Sequence, residues 1–212
     1  MFSKKGLVKK KTQPVVAPDS KLDLTASAQD LALNDMSDEM LMQAYAENDK
    51  LAFDKLYERF RLPLYRYMHR QISVQEEVLN ELYQDVWLKL INNRKQYQVK
   101  ASFKTYLYQI AVNTIRDYFR RESVRKIMSN IEDDTALEGS GLSPDEDLAQ
   151  KQLMRQFKKI LNELPQEQKD VFLLREEAGL TSVQIAEVMQ TSVDTVKSRM
   201  RYAVSRLKAA IE

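Results

Sequence analysis

The stretch Leu180–Arg206, LTSVQIAEVMQTSVDTVKSRMRYAVSR, reads as two short helices joined by a tight turn. Thr181 followed three residues later by Gln184 is the opening of a capping box. Ile185, Ala186 and Met189 give the first helix an apolar stripe at helical spacing. Gln190-Thr191 interrupts it, so the turn must form without glycine, the residue that makes such turns most easily. Ser192 then caps a second helix with Val193, Val196 and Met200 facing inward, and Ala186 is small where the two helices cross against Val196. The outer face carries Asp194, Thr195, Lys197, Ser198, Arg199 and Arg201, and between Thr195 and Ile211 there are five bases and no acid. A capped helix with a dry back and a basic front, held by a shorter helix, is the helix-turn-helix arrangement for reading a DNA major groove. A plain αα-hairpin with a solvated basic face would share the caps and the stripe, so the remaining sequence has to discriminate.

Composition narrows the choice. The 212 residues are 43% hydrophobic and 30% charged, with only four Gly and five Pro, which fits an all-α protein of modest cores. Cysteine is absent, which excludes a disulfide frame and thiol chemistry and fits a reducing, cytoplasmic setting. The single histidine, His69, reads as a half-buried or surface residue on a helix rather than a ligand. No apolar run approaches the ~20 residues of a membrane span, and the basic N-terminus lacks the apolar core of a secretory signal. The net charge of +2 conceals a strong segregation of acids and bases along the chain, as nucleic-acid binding requires.

In chain order, residues 1–35 read as a disordered tail with at most a short helix near Ser27–Leu33. Ser37 caps the first ordered helix, with Asp38 and Glu39 placed for its dipole. A second helix follows Asn48-Asp49, with Pro63 expected to bend or break it. A third, over about Val74–Asn92, buries Val78, Leu79, Leu82, Val86, Trp87 and Leu90 and exposes Glu77, Glu81, Gln84 and Asp85 as an acidic strip. A fourth, over about Ser102–Ser129, places Phe103, Leu107, Ile110, Ala111 and Ile115 at core spacing. Tyr106, Tyr108, Asn113, Arg116, Arg120, Arg121, Arg125 and Lys126 fall largely outside it. From Phe103 to Lys126 six bases face two acids. Rings interleaved with cations suit single-stranded nucleic acid, by stacking and phosphate contact respectively. The plainer reading makes the tyrosines core-rim residues and pairs the arginines with neighbouring acids. Glu132–Asp147 then holds seven acids, no base, two glycines and a proline, a flexible linker between two domains. The domains expected are thus 36–130 and 148–212, separated by 131–147. In the second, Leu164-Pro165 opens the helix that ends at Ala178-Gly179, just before the helix-turn-helix.

With both basic elements in place, the chain resembles the bacterial sigma-70 family, most of all its extracytoplasmic-function group. The carrying stretches are ELYQDVWLKL (81–90), FKTYLYQIAVNTIRDYFRR (103–121), LPQEQKDVFLLRE (164–176) and TSVDTVKSRMRYA (191–203), in the family's order and with a linker where it has one. The resemblance implies two small helical domains, region 2-like and region 4-like, and an alternative sigma factor directing promoter-specific transcription, without catalysis or cofactor. It implies contact with the β′ clamp of core RNA polymerase through Glu81, Gln84, Asp85 and Trp87. The β flap, promoter DNA and an anti-sigma factor are implied as further partners. For the −10 element it points to Gln98, Lys100, Lys104, Tyr106, Asn113, Arg116, Arg120 and Arg121, with Tyr106 standing where the family usually has Trp. For the −35 element it points to Thr195, Lys197, Ser198, Arg199, Arg201 and Tyr202. One departure is Tyr202-Ala203-Val204, where the family often has Arg-Ala-Arg, so a DNA contact there is missing or moved.

Nothing else in the sequence carries catalysis: there is no phosphate-cradling glycine loop, nucleophile–base pair or metal-ligand cluster. The competing reading is a free-standing helix-turn-helix regulator whose first domain senses a ligand or partner. The acidic strip separates the two, because such a regulator has no use for it.

Overall fold

A computed structural model describes residues 33–99, 101–129 and 148–209. Lys100, the acidic linker and the helix expected near Ser27–Leu33, apart from its last residue, lie outside the described residues. Among those described, the compact unit Met36–Glu212 carries α1 (Asp38–Ala46), α2 (Lys50–Gln71), α3 (Glu76–Asn92), a 3-10 turn at Arg94–Gln96, and α4 (Phe103–Ser129). The second half contributes α5 (Leu148–Glu163), α6 (Gln166–Glu176), α7 (Ser182–Met189) and α8 (Val193–Ala209). None of these described helices is long and apolar enough to cross a membrane.

Local chemistry sets the helix starts. The Ser37 side chain accepts from Met40 N at 3.2 Å, and Asp49 accepts from Leu51 N at 3.0 Å, each satisfying an orphan donor of a first turn. The start of α4 is capped twice: Ser102 Oγ accepts from Thr105 N at 3.1 Å, and Glu39 reaches across from α1 to accept from Phe103 N at 2.9 Å. That remote carboxylate ties the entry angle of α4 to α1. Of the bend or break expected at Pro63, the break does not occur; the helix runs through it from Lys50 to Gln71. The surrounding side chains explain why: Phe60, Leu64, Tyr67 and Met68 are all buried, so packing on both sides of the proline outweighs its missing N–H.

The first half buries Leu41, Met42, Leu56, Leu64, Met68, Leu90, Phe103 and Leu107 completely. In the second, Val171, Leu173, Leu174, Leu180, Ile185 and Ala203 are equally buried. Several placements differ from the helical-spacing reading, with Val78 on α3 and Ile110 on α4 only half-buried. Tyr108 is fully buried, edge-on to Tyr67 with ring centroids 5.3 Å apart. On α8 the inward positions are Val196, Ala203 and Leu207, while Val193 and Met200 are half-exposed.

Both halves meet. Helix α4 packs on α3 and α1 from one side and on α7 from another, and α2 packs on α6. Cover on more than one side is why α4 shows no clean amphipathic stripe and why Tyr108 is hidden. The two domains expected on either side of the linker are in contact in this structure.

The helix-turn-helix forms as its sequence suggests. Thr181 and Gln184 make a full capping box, and Ser192 Oγ accepts from Thr195 N at 3.1 Å. Gln190 takes the left-handed conformation at φ 54° that glycine would adopt without strain. Replacing Gln190 with Gly is expected to stabilise the chain by about 0.5–1 kcal/mol, read as a shift in the urea midpoint at constant slope.

Candidate polymerase and nucleic-acid interface

Glu81, Gln84 and Asp85 share one exposed face of α3, continued a turn later by Leu88, which is 52% exposed. Trp87 does not share it. At 5% exposure it points into the groove between α2 and α3, 4.9 Å from the Tyr57 ring and 5.9 Å from Phe53. As a direct contact residue Trp87 is thus corrected: it supports the strip from beneath. The ring chain continues through Tyr83, whose hydroxyl donates to the Arg61 carbonyl at 3.2 Å and whose pKa burial pushes up to about 12.

The second group lies on α4 and the loop before it. Gln98 is exposed in that loop. Tyr106 stacks at a tilt on Tyr97, centroids 5.3 Å apart, and burial raises the pKa of both, Tyr97 to about 12. Both rings stay neutral at physiological pH and offer a half-exposed aromatic ledge, to which Tyr97 is a contributor that helical spacing could not reveal. Asn113, Arg116, Arg120 and Arg121 are exposed. Arg120 pairs with Asp117 at 3.1 Å, and Arg121 Nε donates to the Asp117 carbonyl at 3.3 Å, so these two are braced by their own helix. Lys104 and Arg116 face the second half instead. A side chain on Gly179 would begin 3.5 Å from Lys104 Nζ, and Arg116 stands 3.5 Å from Asp170 and donates to Met189 Sδ at 3.3 Å.

On α8, Lys197, Arg201 and Tyr202 project into solvent, Tyr202 at 62% exposure. Ser198 is half-exposed, and the Thr195 hydroxyl is engaged with Ser192 in the helix cap at 2.8 Å. Arg199 is held in an ion pair with Glu167 of α6. The face therefore presents two free-standing cations, one braced cation and an aromatic ring. Among the described residues no cluster of three or more acidic or histidine side chains is placed to hold a metal.

Two buried charges escaped the sequence reading. Asp170 is 4% exposed and Lys169 5%, adjacent on α6. Burial raises the Asp170 pKa, and hydrogen bonds from Gln166, Arg116 and Gln71 oppose it. Burial lowers the Lys169 pKa to about 8, although its Nζ donates to Asn162 at 2.9 Å. The signal was available: a charged pair directly preceding the apolar run Val171–Leu174. The sign of the Lys169 effect is definite. The unfolded chain holds this proton up to about 10.5 and the folded chain sheds it near 8, so this group adds stability as pH rises through that window. Lys169→Met is expected to stabilise the chain by about 1–3 kcal/mol at pH 7, the gain shrinking toward pH 10. Paired denaturation curves of wild type and variant across pH isolate it from the tyrosines.

Residues 56–125 match the family profile of sigma-70 region 2, and residues 154–207 that of sigma-70 region 4. The chain is 27% identical over 184 residues to an ECF RNA polymerase sigma-E factor of Haemophilus influenzae, covering 84% of this chain and 96% of that one. It is 26% identical over 187 residues to the RNA polymerase sigma-H factor of Pseudomonas aeruginosa, covering 85% and 96%. Two solved structures share the fold. The sigma factor RpoE of Bartonella quintana, in complex with the anti-sigma factor NepR, aligns with TM-score 0.66 at 19% identity, over 75% of this chain and 96% of that one. CnrH, in complex with the cytosolic domain of CnrY, aligns with TM-score 0.61 at 21% identity, over 81% and 95%. The chain belongs to the sigma-70 family, in its extracytoplasmic-function group, and is an alternative sigma factor that directs transcription rather than an enzyme.

Proposed function

We propose that the chain works in the cytoplasm by docking on core RNA polymerase and carrying it to promoters with defined −10 and −35 elements. The observation that carries this reading is the segregation of exposed faces: an acidic strip on α3, an aromatic-cationic face on α4 and a cationic face on α8. Glu81, Gln84 and Asp85 meet the β′ clamp, and the second half reaches the β flap. Tyr106, stacked on Tyr97, offers a ring for an unstacked −10 base, while Asn113, Arg116, Arg120 and Arg121 hold the strand and its phosphates. Gln98, Lys100 and Lys104 add polar and cationic contacts to the −10 strand. Lys197, Ser198, Arg199, Arg201 and Tyr202 meet the −35 duplex, with Thr195 holding the helix start. Residues 36–130 and 148–212 act as the two DNA-facing domains across the linker 131–147. An anti-sigma factor restrains the chain, by likeness to RpoE, which is bound by the anti-sigma factor NepR.

Run-off transcription from genomic fragments tests this. Core polymerase plus the chain should initiate at discrete start sites, with protection near −10 and −35. Equal initiation by core alone, or tight specific binding of the chain to duplex without core, overturns it.

A further inference from the structure

A cavity of about 230 Å³ is lined by three helices of unlike chemistry. From α4 come Val112 and Ile115, both buried, and Phe119, half-exposed one turn further on. From α2 and α6 come polar groups, Tyr67 and Gln71 on one side and Asp170 on the other. Asp170 accepts from Gln71 and, at 2.9 Å, from Gln166, and it stands 3.5 Å from the Arg116 guanidinium.

Two polar atoms on this cavity are left over. Gln71 commits its amide N–H to Asp170, so its Oε1 is directed elsewhere. That oxygen and the Tyr67 hydroxyl are both buried and have no hydrogen-bond partner among the described residues. Buried polar atoms in folded proteins are nearly always served, because leaving one unmet forfeits its hydration without return. The potential there is negative. Burial raises the Tyr67 pKa well above the ordinary tyrosine range, the Asp170 carboxylate raises it further, and Arg116 opposes this less strongly. Arg116 is 43% exposed, so solvent screens much of its charge, whereas Asp170 is held inside.

We propose that this cavity is a binding site for a small primary amine, an ammonium group carried on a short apolar body. An ammonium has three N–H donors and no acceptor. It can serve Gln71 Oε1, the Tyr67 hydroxyl oxygen and a free lone pair of Asp170 together. A carboxylate or phosphate would meet Asp170 instead, and a purely apolar molecule would leave both orphan oxygens unserved. Val112 and Ile115 suit the body of the ligand, and it would cover the exposed Phe119 ring, whose face also attracts a cation. Size agrees: a dry cavity of about 150 Å³ holds a benzene, so this one admits an aromatic ring with a one-carbon ammonium arm. The site is independent of the promoter-binding reading, which assigns no role to Tyr67, Gln71, Phe119 or Asp170.

Benzylamine is the probe, titrated into the full-length chain at pH 7 and followed by calorimetry and by amide resonances. It should bind with a dissociation constant of about 1 mM or below, as suits eight heavy atoms, and move resonances of Val112–Phe119 and Gln166–Asp170. Benzyl alcohol, of the same shape without the charge, should bind at least tenfold more weakly, and benzoate not at all. Tyr67→Phe keeps the ring and removes one of the orphan oxygens, and it should weaken benzylamine at least fivefold. Phe119→Ala, at a half-exposed position where folding is little at risk, should weaken it at least threefold. No saturable binding in the millimolar range, as expected if water alone serves these oxygens, overturns the site. So does equal binding of benzoate, or unchanged affinity in either variant.

Discussion

The Glu81→Lys, Asp85→Lys double variant is expected to bind core RNA polymerase about 100- to 1000-fold more weakly than wild type, with initiation falling in proportion. The two carboxylates sit on one exposed face of α3, one turn apart, flanked by Gln84 and followed by Leu88. Reversing both places like charge against a surface complementary to an acidic strip, at roughly 1.5–2 kcal/mol for each residue. The fold should not notice. Neither side chain carries buried contacts, and exposed substitutions usually stay within about 0.5 kcal/mol of wild-type stability. The measurement is a titration of labelled core with each chain, alongside thermal melts of both. Undiminished affinity would remove α3 from the polymerase interface. Lost affinity with a lowered melting temperature would mean that the strip matters to folding instead.

The strip, the caps and the helix-turn-helix were legible because each depends on local spacing. Thr181 needs only Gln184, three residues away, and Glu81, Gln84 and Asp85 need only a helical period. The misplacements are all non-local. Tyr108 looked exposed because the ring it packs against, Tyr67, lies on α2, far away in sequence. A break at Pro63 was open because nothing local announces the packing that carries α2 through it. The partnership of Asp170 with Gln71 joins residues 99 positions apart, beyond the reach of local spacing. The acidic linker suggested separable domains, yet composition says nothing about whether two tethered halves have complementary faces. Ranking the arginines was equally out of reach. Arg120 and Arg121 are braced along their own helix, whereas Arg116, a turn earlier, is turned toward Asp170 of the second half.

Trp87→Ala is expected to cost about 3–5 kcal/mol of stability, against a total that for a small domain is about 5–15 kcal/mol. The indole is 5% exposed and fills the groove between α2 and α3, with Tyr57 and Phe53 packed edge-on and Tyr83 at 6.3 Å. Removing it leaves a void lined by three rings, each already held by other neighbours and unable to collapse into the space. The consequence for function follows from geometry. Helix α3 carries the acidic strip on its far side, so loosening its seat blurs the spacing of Glu81, Gln84 and Asp85 and lowers polymerase affinity without touching a contact residue. Trp87→Phe separates the two roles, because it restores most of the volume but not the indole. If Trp87 is a support, the Phe variant recovers most of both stability and core binding. If it recovers stability alone, the indole itself touches the polymerase, and the α3 interface extends into the groove.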